Sequence, residues 1–86
     1  MNKNQDWFVY ILQCSDKTLY TGVTTNIERR IEEHNTGNKG AKYTAARRPV
    51  KLVYSEQLGS RSEAQQREHQ IKSLTRQQKQ QLIDMY

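Results

Sequence analysis

Apolar residues in this chain come in blocks. The densest is Trp7-Phe8-Val9-Tyr10-Ile11-Leu12, aromatic and β-branched enough to predict a strand. Both alternating sets are apolar: Trp7, Val9 and Ile11 on one side, Phe8, Tyr10 and Leu12 on the other. That pattern predicts a strand covered on both faces. Ser15-Asp16-Lys17 has turn chemistry, and Thr18–Val23 reads as a second strand, which makes a hairpin. Thr25-x-x-Glu28 reads as a capping box. Ile27, Ile31 and His34 follow at helical spacing, and Gly37 closes the helix. Thr36–Arg48 has no apolar period and reads as a long basic connection, with Pro49 blocking any helix through it. Val50–Leu58 alternates, placing Val50, Leu52, Tyr54 and Leu58 on one face of a half-covered third strand. Ser60-x-x-Glu63 opens a helix reaching about Leu74. Thr75-x-x-Gln78 opens a Gln-rich helix whose apolar residues, Leu82, Ile83 and Tyr86, come at its end. The order β-β-α-β-α-α predicts an α+β fold: about three helices flanking a three-stranded antiparallel or mixed sheet.

Composition narrows this picture. The 86 residues are only 34% hydrophobic, with a mean hydropathy of -1.05. They suit one domain over residues 1–86 with a modest core. Met1–Asp6 reads as a frayed polar terminus. The net charge of +5 is local. Between His34 and Ser55 there is no acid, yet Lys39, Lys42, Arg47, Arg48 and Lys51 all fall there. A one-sign segment of this kind fits an anionic partner such as nucleic acid; a solvated basic loop fits the charge equally well. Cys14 is the single cysteine, so it reads as a small core residue in a reducing, cytoplasmic setting. The longest apolar run, Phe8–Leu12, is too short to span a bilayer.

Candidate chemistry shows where polar residues sit on faces that want apolar ones. Helical phase puts Arg30 at the edge of the Ile27–Ile31–His34 arc, while Arg29, Glu32 and Glu33 point away. A functional guanidinium and an arginine snorkelling at a boundary both fit that position. Ala64, Glu68 and Ile71 fall at i, i+4 and i+7, so Glu68 lies on the apolar stripe of its helix. A carboxylate there is expected to be paired or ligated: either an ion pair with Lys72 or Arg30, or a ligand to a hard cation. If the hairpin loop is Ser15-Asp16-Lys17, Tyr10 lies opposite Gly22 and Tyr20 opposite Leu12. The two tyrosines are then diagonal neighbours on one face, and Gly22 opens space beside Tyr10. A two-residue loop would put them on opposite faces. Taken singly, each tyrosine also fits an ordinary core aromatic.

The ordered set resembles the GIY-YIG nuclease superfamily, and in particular its small stand-alone bacterial members. Phe8-Val9-Tyr10 stands where that family has Gly-Ile-Tyr, and Tyr20-Thr21-Gly22 where it has Tyr-Ile-Gly. Thr24-x5-Arg30-x3-His34 matches the first-helix signature, and Glu68 fits the metal-binding glutamate. Phe8 departs from the pattern by replacing its first glycine, and no residue late in the chain matches the additional polar group some members use.

The resemblance implies a metal-dependent endonuclease hydrolysing phosphodiester bonds, most readily of DNA. Its catalytic set would be Tyr10, Tyr20, Arg30, His34 and Glu68, with Gly22 and Thr24 as structural members of the motif. One Mg²⁺ or Mn²⁺ ion would sit on Glu68, Arg30 would hold the phosphate, and a tyrosine would activate water, Tyr10 being favoured. A phenol of pKa near 10 is a weak base at neutral pH, and Arg30 and the metal are expected to lower it. Lys39, Lys42, Tyr43, Arg47 and Arg48 would track the nucleic-acid backbone, with Tyr43 either stacking on a base or anchoring the loop. The expected protein is a monomer that does not engage membranes, with a protein partner as one possible source of targeting. The alternative is a nucleic-acid-binding module that keeps the fold without useful turnover.

Overall fold

The computed structural model describes residues 6–37 and 39–86. Apart from Asp6, the terminus expected to fray lies outside the described residues. Strands β1 (Trp7–Gln13), β2 (Leu19–Thr24) and β3 (Lys51–Leu58) form one antiparallel sheet in the order β2-β1-β3. Helices α1 (Ile27–Thr36), the short α2 (Lys42–Ala45), α3 (Arg61–Lys72) and α4 (Arg76–Asp84) complete the fold. The α+β reading holds, and the sheet is wholly antiparallel. The extra helix is α2, inside the stretch expected to be a plain connection. Four residues are too few to carry an apolar period, so nothing in the pattern announces it.

The central strand β1 is buried on both sides because its two alternating sets each meet a helical layer. Val9 and Ile11 pack with Ile71 of α3, while Tyr10 and Leu12 pack with Cys14, Val50 and Ile31 of α1. All four of these β1 residues are at most 1% exposed. Each fully buried apolar side chain of this size contributes about 1.5–3 kcal/mol, so β1 organises both halves of the core.

The β1–β2 loop has three residues. Cys14 N–H donates to Thr18 O at 2.9 Å, Lys17 N–H donates to Cys14 O at 2.9 Å, and Lys17 takes a left-handed φ of 73°. Asp16 fixes the turn by accepting from the Thr18 N–H at 3.1 Å and the Thr18 hydroxyl at 2.6 Å. An odd loop sets the register Tyr10↔Gly22 and Leu12↔Tyr20, which puts Tyr10 and Tyr20 on the same face.

The expected face of β3 is corrected by a β-bulge. Ile11 pairs with Tyr54 but Leu12 pairs with Leu52, so Val53 is the extra residue. Leu52 and Val50 therefore stay with the Tyr10 side. Val53, Tyr54 and Leu58 pack on the Val9 side. One inserted residue turns a strand expected to be half covered into one that contributes to both cores.

The first helix also starts one residue later than expected. Its cap is Asn26, whose side chain accepts from Arg29 N–H at 3.0 Å; Thr25 does not cap it. Thr24 explains the shift: its hydroxyl accepts from Asn26 N–H at 3.1 Å and donates to Asn26 O at 3.3 Å, folding the strand end into the helix start. Gly37 ends the helix in a left-handed conformation, φ 80°. The caps at Ser60 and Thr75 form as expected, the latter as a full capping box. Among the described residues, no helix is long and apolar enough to cross a membrane.

Candidate active site

The site grows from the Tyr10 face of the sheet. With no side chain at Gly22, the Tyr10 ring lies directly over it: a Cβ there would sit 2.6 Å from the Tyr10 hydroxyl. The Tyr10 and Tyr20 rings are 6.4 Å apart and tilted by 44°. Helix α1 lowers His34 onto them. Its ring meets Tyr20 edge-on at 5.1 Å and Tyr10 at 6.2 Å. His34 is fully buried, with Nε2 3.1 Å from the Tyr10 hydroxyl and Nδ1 2.8 Å from the Thr44 hydroxyl. Gly40 lets α2 come this close, since a Cβ there would stand 2.9 Å from the Glu33 carbonyl.

Arg30 is one turn earlier on α1, with its side chain 24% exposed. Nη1 donates to Glu33 Oε1 at 2.8 Å and to the Lys39 carbonyl at 2.7 Å. Both bonds run through one nitrogen, which fixes the guanidinium while sparing most of its five donors. Arg30 also lies against the Tyr10 hydroxyl and pulls its pKa down, yet burial outweighs it: Tyr10 is pushed up to about 12. Arg30 acts on Tyr10 in the expected direction, but desolvation of a phenolate costs more here than one guanidinium returns. Burial likewise lowers the His34 pKa, with Arg30 adding to it, so His34 is neutral at pH 7.

Glu68 comes from α3, on the other face of the sheet. It is 22% exposed and pairs with Lys72, Oε2 to Nζ 3.1 Å. It is nonetheless close enough to bear electrostatically on Tyr10, raising its pKa slightly. Of the two pairings anticipated for Glu68, the Lys72 bridge forms; Arg30 pairs instead with Glu33. Among the described residues, no group of three or more His, Cys, Asp or Glu could form a closed metal cage. A single partly buried carboxylate suits a hard cation that fills its shell with water and phosphate oxygens.

The basic stretch wraps the outer side of this cluster, and its arginines are engaged with the protein. Tyr43, 40% exposed, stacks on Tyr20 at 5.9 Å and 30°. The Arg47 guanidinium lies 4.2 Å over the Tyr43 ring and reaches Asp16 at 3.0 Å and the Tyr43 carbonyl at 2.8 Å. Arg48 returns to the Ala45 carbonyl at 2.9 Å and the Asn35 carbonyl at 3.4 Å. The side chains of Lys39 and Lys42 are exposed. The row His34–Tyr20–Tyr43–Arg47 thus links the buried centre to the basic surface.

Comparison with known proteins places this arrangement. Residues 6–81 match the model of the GIY-YIG catalytic domain. The chain belongs to the GIY-YIG family. It is 61% identical over 77 residues to a UPF0213 protein of Desulfotalea psychrophila, covering 90% of this chain and 70% of that one. A UPF0213 protein of Natronomonas pharaonis is 58% identical over 78 residues, 91% of each chain. Among solved structures, the UPF0213 protein of Bacillus halodurans superposes with a TM-score of 0.60 at 45% identity, covering 93% of this chain and 84% of that one. A protein of E. faecalis superposes with a TM-score of 0.64 at 44% identity, covering 99% and 90%.

Two further residues of the cluster, Thr44 and Asn35, stand outside any motif in the sequence. Thr44 is fully buried beside His34. Asn35 ties α1 to the start of β3, its amide donating to Val50 O at 3.1 Å and accepting from Val50 N–H at 2.7 Å. A buried histidine needs partners at both ring nitrogens, which is the signal that points to a hydroxyl such as Thr44.

Proposed function

We propose that this protein is an endonuclease that hydrolyses phosphodiester bonds of DNA with the help of one divalent cation, Mg²⁺ or Mn²⁺. The observation that carries the reading is the convergence of Tyr10, Tyr20, His34 and Arg30 on one face of the hairpin, within electrostatic reach of Glu68. Arg30, pinned through Nη1, offers its remaining donors to the non-bridging oxygens of a phosphate. Tyr10 takes a proton from the attacking water. With its pKa raised to about 12, free Tyr10 phenolate is scarce at neutral pH. His34, at 3.1 Å, meets that difficulty as a proton partner within hydrogen-bond reach. Tyr20, less buried than Tyr10, orients the water. Glu68 would hold the cation together with water and phosphate oxygens, and the cation would supply Lewis-acid charge near the leaving 3′ oxygen. Lys39, Lys42 and the Tyr43–Arg47 pair hold the flanking backbone with little sequence preference.

The second reading, a binding module without useful turnover, draws on the same site. Glu68 is already engaged by Lys72, so a cation must compete for it.

One assay separates the two. Purified protein is incubated with plasmid and oligonucleotide DNA in Mg²⁺, in Mn²⁺ or with chelator, beside Glu68→Ala and Arg30→Ala. The nuclease reading expects cation-dependent cleavage that falls by roughly 10²–10³-fold in Arg30→Ala and disappears in Glu68→Ala. Variants that cut as fast as the parent overturn it. Gel retardation at low salt without any cleavage establishes the binding reading instead.

A further inference from the structure

The hydroxyl of Thr44 can give its proton only once. It donates to the Ala41 carbonyl at 3.0 Å, and a carbonyl can only accept. Its contact with His34 Nδ1 at 2.8 Å must therefore run the other way, with Nδ1–H as donor and the Thr44 oxygen as acceptor. A neutral imidazole carries one ring proton, so Nε2 presents a lone pair. Tyr10 then donates its O–H to Nε2 across 3.1 Å.

We propose that Thr44 is a positioning residue, setting the His34 tautomer so that Nε2 is poised to accept the Tyr10 proton. The inference deepens the nuclease reading and rests on it for its catalytic consequence, but not for its chemistry. Donors then run in one direction: Tyr10 O–H to Nε2, Nδ1–H to Thr44, and Thr44 O–H to Ala41 O. A chain aligned in this way strengthens each of its members. When water gives a proton to the Tyr10 oxygen, the Tyr10 O–H bond breaks and an Nε2–H bond forms. The products are hydroxide, a neutral phenol and an imidazolium that keeps its Nδ1–H bond to Thr44. With the other tautomer, Nε2–H would point at Tyr10 and nothing on His34 could receive the proton.

The placement also explains α2. Thr44 N–H and O–H both reach Ala41 O, at 3.2 and 3.0 Å, so this single turn fixes the hydroxyl in the one orientation that reads the histidine. Thr44 is 0% exposed, a burial that a merely solvating hydroxyl does not need.

Nitrogen-15 NMR tests this directly. The chain has two histidines, so His69→Gln, at an exposed position on α3, leaves His34 as the one imidazole. Long-range proton–nitrogen correlations distinguish Nδ1–H from Nε2–H. The expected result is Nδ1–H at neutral pH, lost in Thr44→Val and retained in Thr44→Ser. In single-turnover DNA cleavage, Thr44→Val should lower the rate by roughly 10²-fold with KM unchanged, and Thr44→Ser should recover most of it. An Nε2–H tautomer in the parent overturns the proposal, as does Thr44→Val that keeps Nδ1–H or cuts at the parental rate. If Thr44→Val does not fold, the parent and Thr44→Ser spectra still decide. If the parent does not cut DNA, the nuclease reading has failed while the tautomer stands or falls on the spectra alone.

Discussion

The two faces of β1 are built from alternate residues of one strand, yet they serve different ends. The Val9–Ile11 face closes against Ile71, with the hydroxyl of Thr21, the partner of Ile11 on β2, as its buried polar group. The Tyr10–Leu12 face gathers Tyr20 and Ile31 around a buried histidine and a buried threonine. Hydrophobic packing asks only for volume and shape on the first face. The second also binds polar groups in a fixed order, from Tyr10 through His34 to Thr44. On the proposed reading, the Tyr10–Leu12 face carries most of the chemistry, while the Val9–Ile11 face serves stability and supports the helix that bears Glu68.

Substitutions should separate the faces. The largest effect on stability is expected on the dry side: Ile11→Ala or Ile71→Ala should cost about 2–5 kcal/mol by chemical denaturation, while the folded fraction cuts DNA at the parental rate. Next comes an alkaline signature of the wet side. Below pH 10 Tyr10 is neutral in both the folded and unfolded states. Between pH 10 and its folded value of about 12, the unfolded chain releases the proton and the folded chain keeps it. Stability should therefore fall as pH rises through that window, by up to about 3 kcal/mol from this group, and Tyr10→Phe should remove that part of the slope. Gly22→Ala brings a methyl to within 2.6 Å of the Tyr10 hydroxyl and should cost about 1–3 kcal/mol in a thermal melt. It should also suppress cleavage by displacing Tyr10 from His34. The smallest effect is expected away from both faces: Thr75→Ala removes a helix cap and should cost about 1 kcal/mol, with cleavage intact.

How much of this could be read beforehand differed between elements for physical reasons. Helical phase alone separates Arg30, which is half-buried, from Arg29, whose side chain is 57% exposed. Phase likewise puts Glu68 beside the fully buried Ala64 and Ile71. The tyrosine pair followed from one integer, the length of the hairpin loop. The bulge at Val53 was hidden because alternation is assumed when a strand is read, and one added residue leaves no mark in composition. Thr44 was hidden because α2 is a single turn inside a basic stretch, where neither period nor cap announces it. The raised pKa of Tyr10 was missed for a different reason. Proximity to Arg30 can be inferred from spacing, but the depth at which Tyr10 is buried depends on how α1, α2 and β3 close over it.

Tyr10 and Ile11 are neighbours in sequence that face opposite cores, so comparing them tests the division of labour most directly. Single-turnover cleavage of one DNA substrate would be measured for Tyr10→Phe and Ile11→Val, each corrected for its folded fraction. The account predicts that Tyr10→Phe, though folded, loses at least roughly 10²-fold in rate. Ile11→Val should cut as the parent does, despite losing about 1 kcal/mol of stability. Tyr10→Phe cutting at the parental rate would contradict it.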